Sequence, residues 1–254
     1  VLYIDQLMLN KMISLSAVGV YSVMFFAVTL IAIPARNLRK ISSVVVAESW
    51  KRDDREEIQM IYKKSSLNLL IIGVYLFFIG WWILPLALEY LPDYKDGIYV
   101  FFFLGIARVV DLATGINSDI IETSPKYKYN TYLNLLFALF VFVSNLFFIP
   151  RFGLVGAGIA SCISLITINL IRWYFLKRHF GFGLYSKAYV KAIIVGVLFI
   201  SCAHFIKLPF SPIISMILIF VVGSVSYGIV VVKLRLSEEV IDIFVKLKKR
   251  VGLK

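Results

Sequence analysis

The chain of 254 residues is 60% hydrophobic, and it carries a formal net charge of +12. Its mean hydropathy of +0.87 is far above that of a soluble globular domain. These values exclude a soluble enzyme. The Lys and Arg residues fall mainly between apolar stretches, which argues against nucleic-acid binding as the reason for the positive charge. We therefore predict an all-α polytopic membrane protein.

Apolar stretches long enough to cross a ~30 Å hydrocarbon core as helices recur along the chain. The first, 1–14, has too short an apolar part to span, so we interpret it as a truncated helix. The others predict seven full spans, at 17–47, 67–91, 97–123, 129–149, 154–176, 189–206 and 212–232. The tail from Ser237 has apolar and basic faces, which favours a helix lying on the anionic inner leaflet, with a packed or frayed tail as the alternative.

The Lys and Arg residues are concentrated in alternate loops, which sets the predicted orientation. The cation-rich segments are 51–64, 126–128, 172–191 and 233–254. The opposite loops hold only Lys11, Lys95, Arg151 and Lys207. The positive-inside rule therefore places the first set, with Arg172 counted in it, and the C-terminus in the cytoplasm.

Three cations lie inside the long second element, just after Pro34, which can kink a helix. At about 100° per residue, Arg36, Arg39 and Lys40 share one side of this helix with small and polar residues. One interpretation is a cavity wall that binds an anion, because Arg suits bidentate phosphate contacts. The alternative is that the helix leaves the bilayer early and these side chains reach the lipid headgroups.

The fourth element carries a row of ionisable residues around Gly115. Spacings of three and four place Arg108, Asp111, Asp119 and Glu122 with this glycine on one face of a continuous helix. Asp111 is the deepest carboxylate and is our candidate for a group linked to a proton or cation. Arg108 and Asp111 at i, i+3 also fit a purely structural ion pair.

Asp5 lies inside the first helix, where a carboxylate must be protonated, paired or in contact with water. It is our second candidate for ion coupling. We assign Arg108, Asn117, Asp119 and Asn134 as secondary polar residues of a cavity. Interhelical hydrogen bonds explain Asn145, Ser161 and Asn169 at least as well as substrate contact.

No catalytic motif is present: the chain has no nucleophile elbow and no phosphate-binding Gly-rich loop. Cys162 and Cys202 lie in separate apolar runs, and no Cys/His cluster exists, so we expect neither a metal site nor a cofactor. The polar residues inside the spans therefore carry the functional signal.

Five segments resemble the C-terminal lobe of bacterial polysaccharide flippases, which belong to the multidrug/oligosaccharidyl-lipid/polysaccharide exporter superfamily. The most specific is IPRFGLVGAGIA at 149–160, and the others lie at 5–9, 18–21, 61–66 and 111–117. The resemblance covers nearly the whole chain. It implies the C-terminal lobe of a two-lobe transporter of 12–14 helices. Residues 1–176 would form the six-helix transport lobe, 177–233 two additional helices, and 234–254 a basic cytoplasmic tail.

The resemblance also implies a function. Flippases of this kind move undecaprenyl-pyrophosphate-linked oligosaccharides across the bacterial inner membrane by alternating access, for surface polysaccharide biosynthesis. Cavity cations are thought to meet the pyrophosphate, a role that Arg36, Arg39 and Lys40 would fill. Related exporters couple to H⁺ or Na⁺ through acidic residues on the helices that carry Asp5 and Asp111. Membrane lipids and polysaccharide polymerases or other assembly proteins are the further expected partners.

Three other functions are weighed against this one. A multidrug or cation antiporter of the same superfamily would favour carboxylates and aromatic residues in its cavity over the cations found here. A membrane-embedded polysaccharide polymerase would need sizeable outer loops, and the predicted outer loops are short. A scaffold without transport activity would leave the buried charges unexplained. We therefore expect a transporter and not an enzyme.

Overall fold

A computed structural model describes residues 3–184, 186–202, 209–239 and 241–242. Within these ranges the chain is helical apart from short turns and connections, and a short 3₁₀ helix covers Pro92–Gly97. The α-helices are α1 Ile4–Met12, α2 Leu15–Ile31, α3 Ile33–Lys51, α4 Arg55–Ala87, α5 Ile98–Ala113, α6 Asn117–Thr123, α7 Lys128–Phe180, α8 Lys187–Cys202 and α9 Pro212–Lys233. The predicted amphipathic tail falls largely on residues outside the described ranges.

Three of the described helices, α4, α7 and α9, are long and apolar enough to cross a membrane. Two bent pairs, α2 with α3 and the segment Pro92–Ala113 with α6, raise this to as many as five if each pair counts as one span. The prediction of a helical membrane protein is thus confirmed. The total of seven spans and the 12–14-helix architecture stay predictions.

Helix α7 is a hairpin rather than one rod. Its 53 residues would extend about 80 Å at 1.5 Å per residue, well beyond a ~30 Å hydrocarbon core. The backbone leaves helical geometry at Gly153, where φ is 56° and ψ is −133°. Side-chain contacts then pair Ser144 with Ser164, Asn134 with Arg172, and Tyr129 with Phe175, in antiparallel order. The two arms match the predicted fifth and sixth elements.

Bends also interrupt the predicted second and fourth elements. The first bend lies near the expected position at Pro34, whereas the second was not predicted. Helices α2 and α3 meet at an angle of 49° at Ala32, two residues before Pro34. The proline lies in the first turn of α3, where a missing amide hydrogen is tolerated. Helices α5 and α6 also bend by 49°, around Gly115 with φ of 64°. The prediction of one continuous fourth helix is therefore wrong, because a glycine in the left-handed backbone conformation interrupts it.

Helix α5 lies at the centre of the bundle, packed against α2, α4 and α7. The break at its C-terminus is supported from two sides. Gly115 approaches Ser66 of α4, and the Tyr189 hydroxyl of α8 donates 2.7 Å to the carbonyl of Ala113, which lies at the break. In an apolar setting an unpaired carbonyl costs several kcal/mol, so this bond helps to permit an interrupted helix at membrane depth. Helices α8 and α9 both pack on α4, with the Tyr227 hydroxyl donating to the Ile71 carbonyl.

Replacing Gly115 with Ala should destabilise the protein. An added Cβ would overlap the Ser66 hydroxyl and lie 3.1 Å from the Ser66 Cα, in a backbone conformation that L-residues avoid. The left-handed conformation alone costs about 1–2 kcal/mol, and overpacking about 1–3 kcal/mol. Thermal unfolding of purified protein in detergent measures the loss. Gly19→Ala is the control, because nothing lies within 4 Å of its added Cβ, and Ala favours a helix. Equal melting temperatures for the two variants would contradict the assignment.

Candidate functional site

Asp5 is buried and held by three neutral hydrogen-bond donors from three separate helical segments. Tyr21 Oη and Ser161 Oγ donate to its Oδ2 at 2.7 and 2.6 Å, and Asn145 Nδ2 donates to Oδ1 at 2.6 Å. Within the described ranges no Lys or Arg lies at ion-pairing distance from Asp5. Three donors aimed at one carboxyl satisfy its oxygens without a fixed cation.

A cavity of about 160 Å³ adjoins this carboxyl. Asp5 and Ser161 line it together with Arg108 of α5, and the other lining residues are apolar. The volume is sufficient for several water molecules, which need polar partners such as these. The cavity therefore adjoins both Asp5 and the second charged group of the bundle.

That second group is the Arg–Asp cluster, formed by Arg39, Arg108, Asp111 and Asp119. Arg108 Nη1 donates to Asp111 Oδ2 at 3.1 Å, which is the structural pair anticipated from their spacing. Arg39 of α3 lies between the two carboxylates, with Nη2 3.7 Å from Asp111 Oδ2 and Nε 3.6 Å from Asp119 Oδ2. The α5–α6 break separates Asp111 from Asp119 along the chain. Arg39 nevertheless lies within ion-pairing distance of both carboxylates.

Asn169, from the second arm of α7, completes the cluster. Its Nδ2 donates to Asp111 Oδ1 at 3.1 Å, and its Oδ1 accepts from Thr114 Oγ1 and Asn117 Nδ2, both at 3.0 Å. One buried amide thus joins the end of α5, the start of α6 and α7. Because all four of these residues are buried, the network fixes the geometry of the break.

Arg172, which the loop analysis counted among the cytoplasmic cations, is buried in the second arm of α7. Its Nη2 donates to Asn134 Oδ1 at 2.6 Å, while its Nε has no hydrogen-bond partner. Asp111, Asp119 and Arg39 lie within electrostatic range of this guanidinium. The antiparallel arms of α7, and not the loop pattern, bring Arg172 to the cluster.

Arg36 and Lys40 remain on the surface of α3. Among the described residues neither one forms an ion pair. Arg39, with a side chain 34% exposed, lies between this cationic face and the buried carboxylates. The structure thus keeps the three cations on one side of the helix but gives Arg39 a different environment from its two neighbours.

Of the predicted site residues, the structure brings Arg39, Arg108, Asp111, Asn117 and Asp119 into one connected group. Asp5 forms a separate site across the cavity, and Asn134 reaches the group through Arg172. Sequence reasoning undervalued the neutral partners Tyr21, Asn145, Ser161 and Asn169. The signal that could have found the last three is a polar side chain deep in an apolar run, which is costly without a partner.

Comparison with known proteins finds a distant relative. A protein of Methanocaldococcus jannaschii described as an uncharacterized membrane protein is 23% identical over 98% of this chain. The chain spans 50% of the length of that relative. No family model and no solved structure matches. The description of this relative as a membrane protein agrees with the long apolar helices of the chain. The chain is a helical membrane protein.

Removing the Asn169 amide should lower the stability of the protein. Asn169→Ala leaves Asp111 Oδ1, Thr114 and Asn117 without their shared partner. Each buried polar group left unsatisfied costs about 1–3 kcal/mol, so the melting temperature in detergent should fall by several degrees. The exposed Asn37 on α3 provides the control, since Asn37→Ala removes the same amide from a solvated position. A melting temperature for Asn169→Ala as high as that of Asn37→Ala would contradict the network's structural role.

Proposed function

We propose that the protein is the C-terminal lobe of a lipid-linked oligosaccharide flippase, in which the cations of α3 bind the pyrophosphate. The observation that carries the proposal is the exposed pair Arg36 and Lys40 beside the partly exposed Arg39, on one side of a bent apolar helix pair. Unpaired cations in a membrane protein are costly unless they meet water or an anion. A pyrophosphate supplies dense negative charge and suits guanidinium groups.

The expected cargo is an undecaprenyl-pyrophosphate-linked sugar unit, moved outward across the bacterial inner membrane with the C-terminus of the protein in the cytoplasm. The sequence resemblance supports this choice of cargo over the organic cations of a multidrug exporter, and so does the cationic character of α3. The proposal assigns the sugar's recognition to the rest of the cavity, since α3 offers charge rather than sugar-specific contacts.

The anion-binding prediction concerns Arg36 and Lys40. A lost charged hydrogen bond costs about 1.5–3 kcal/mol, or roughly 10- to 150-fold in affinity. In the full-length transporter reconstituted in proteoliposomes, Arg36→Ala and Lys40→Ala should each weaken flipping of a fluorescent polyprenyl-pyrophosphate glycan. Arg36→Lys should retain only part of the wild-type activity. Arg178→Ala and Lys95→Ala, which remove exposed cations elsewhere, are the matched controls. Normal flipping by a folded Arg36→Ala/Arg39→Ala/Lys40→Ala triple variant would overturn the assignment.

We further propose that Asp5 and Asp111 couple transport to H⁺ or Na⁺. Asp5 offers the cleaner test, because the Tyr21 and Ser161 hydroxyls can rotate to accept hydrogen bonds from an amide while Asn145 still donates to its oxygen. Asp5→Asn should therefore fold normally but lose the dependence of flipping on an imposed ion gradient. Asp93→Asn, at an exposed position, is the control. Gradient-dependent flipping by Asp5→Asn at the wild-type rate would exclude Asp5.

Asp111 is expected to behave differently in the same assay. Its Oδ2 faces two guanidinium groups, and an amide nitrogen there would meet like donors. Asp111→Asn should therefore reduce the yield of folded protein as well as flipping. A loss of folded protein equal to the loss of flipping would favour the structural ion pair with Arg108 over coupling.

A further inference from the structure

The geometry of Arg39 points to an exchange. We propose that Arg39 alternates between the carboxylates of Asp111 and Asp119 and the anionic cargo, so that anion binding drives proton uptake by these carboxylates. This inference rests on the proposed anion-binding function and deepens it. Movement of the Arg39 side chain would link binding of the anion to binding of the proton.

Arg39 is held loosely by its partners. Its nitrogens lie 3.6 and 3.7 Å from the carboxylate oxygens, close enough for an ion pair but beyond a good hydrogen bond. Accordingly, Arg39 Nε and Asp119 Oδ2 are buried without hydrogen-bond partners. The fixed pair of Asp111 is with Arg108, at 3.1 Å. Arg39 is therefore the cation that can leave at least cost.

Arg39 is also the member of the cluster that an anion can reach. Its side chain is 34% exposed, whereas the Asp111 and Asp119 side chains are only 11% and 22% exposed. Arg36 and Lys40, three residues before Arg39 and one after it, carry exposed cations on the same side of α3. An anion attracted to this pair meets Arg39 next. A small rotation of one long side chain would exchange a carboxylate for a phosphate as its partner.

The departure of Arg39 changes the charge balance of the cluster. Arg39 and Arg108 pair with Asp111, the charge of Arg172 also acts there, and Glu122 adds a further negative charge near Asp119. When Arg39 turns to the cargo, the carboxylates lose a positive charge in a medium of low dielectric constant. A proton bound to one carboxylate oxygen can restore this positive charge. A metal cation would need several oxygen ligands beside the remaining guanidinium groups, which repel it.

Thermodynamic linkage fixes the sign of the effect. If anion binding takes up protons, lower pH must tighten anion binding. The probe for this test is a soluble pyrophosphate diester such as UDP-glucose, whose pyrophosphate does not titrate near neutral pH. Binding to purified protein in lipid nanodiscs is measured by calorimetry in buffers of different ionisation enthalpy, which gives the number of protons taken up.

Two matched pairs of variants isolate Arg39. Arg39→Gln and Lys40→Gln each remove one cation from the same helix. Both should weaken binding, but only Arg39→Gln should abolish proton uptake. Asp119→Asn and Glu56→Gln each remove one carboxylate. Asp119→Asn should tighten binding about tenfold by freeing Arg39, within the ~5- to 150-fold range of coupled sites, while Glu56→Gln on the exposed start of α4 should change nothing.

The possible outcomes distinguish a failure of the proposed Arg39 exchange from a failure of the proposed flippase function. Wild-type binding with no proton uptake, or equal uptake by Arg39→Gln and Lys40→Gln, overturns the exchange and leaves the flippase proposal intact. An absence of diester binding by the wild type overturns both. Melting temperatures of each variant confirm that folded protein is compared, and the comparison of Arg39→Gln with Lys40→Gln decides the question if Asp119→Asn does not fold.

Discussion

Asp111 is the residue on which the arrangement of the bundle depends. Its carboxylate receives Arg108 from its own helix, Arg39 from α3 and Asn169 from α7. Asn169 then holds Asn117 at the start of α6. In an apolar environment a buried charge must be fully partnered, and each partner here belongs to a different helical segment. The position of the charge therefore determines how these helices can pack.

The interrupted helix next to Asp111 follows from the same constraint. A helix end at membrane depth exposes carbonyl groups that no lipid can satisfy. Thr114 Oγ1 donates to the Asp111 carbonyl, and Tyr189 donates to that of Ala113. The second of these bonds comes from α8, outside the predicted six-helix lobe. Helix α8 thus has a direct structural connection to the charged centre.

The two acidic sites differ in chemistry although both are buried. Asp5 is held by neutral donors from Tyr21, Asn145 and Ser161, while Asp111 lies among guanidinium groups. A carboxylate without a fixed cation can accept a mobile one, whereas Asp111 shares its charge with two arginines, which also hold it in position. Asp5 and Arg108 line the same cavity, so the two acidic sites lie on either side of one small space.

The helical membrane character, the bend near Pro34 and the Arg108–Asp111 pair could all be predicted from the amino-acid sequence, because they depend on apolar length, backbone restriction and spacing within one helix. The side of α3 that carries the cations was predictable for the same reason. Helical periodicity defines a face but not its neighbour, so the inward position of Arg39 emerged only from the packed helices. The partners of Asp5 and the burial of Arg172 required the α7 hairpin, which brings together residues far apart in the chain. The break at Gly115 depended on close approach to Ser66, and no local pattern specifies that contact.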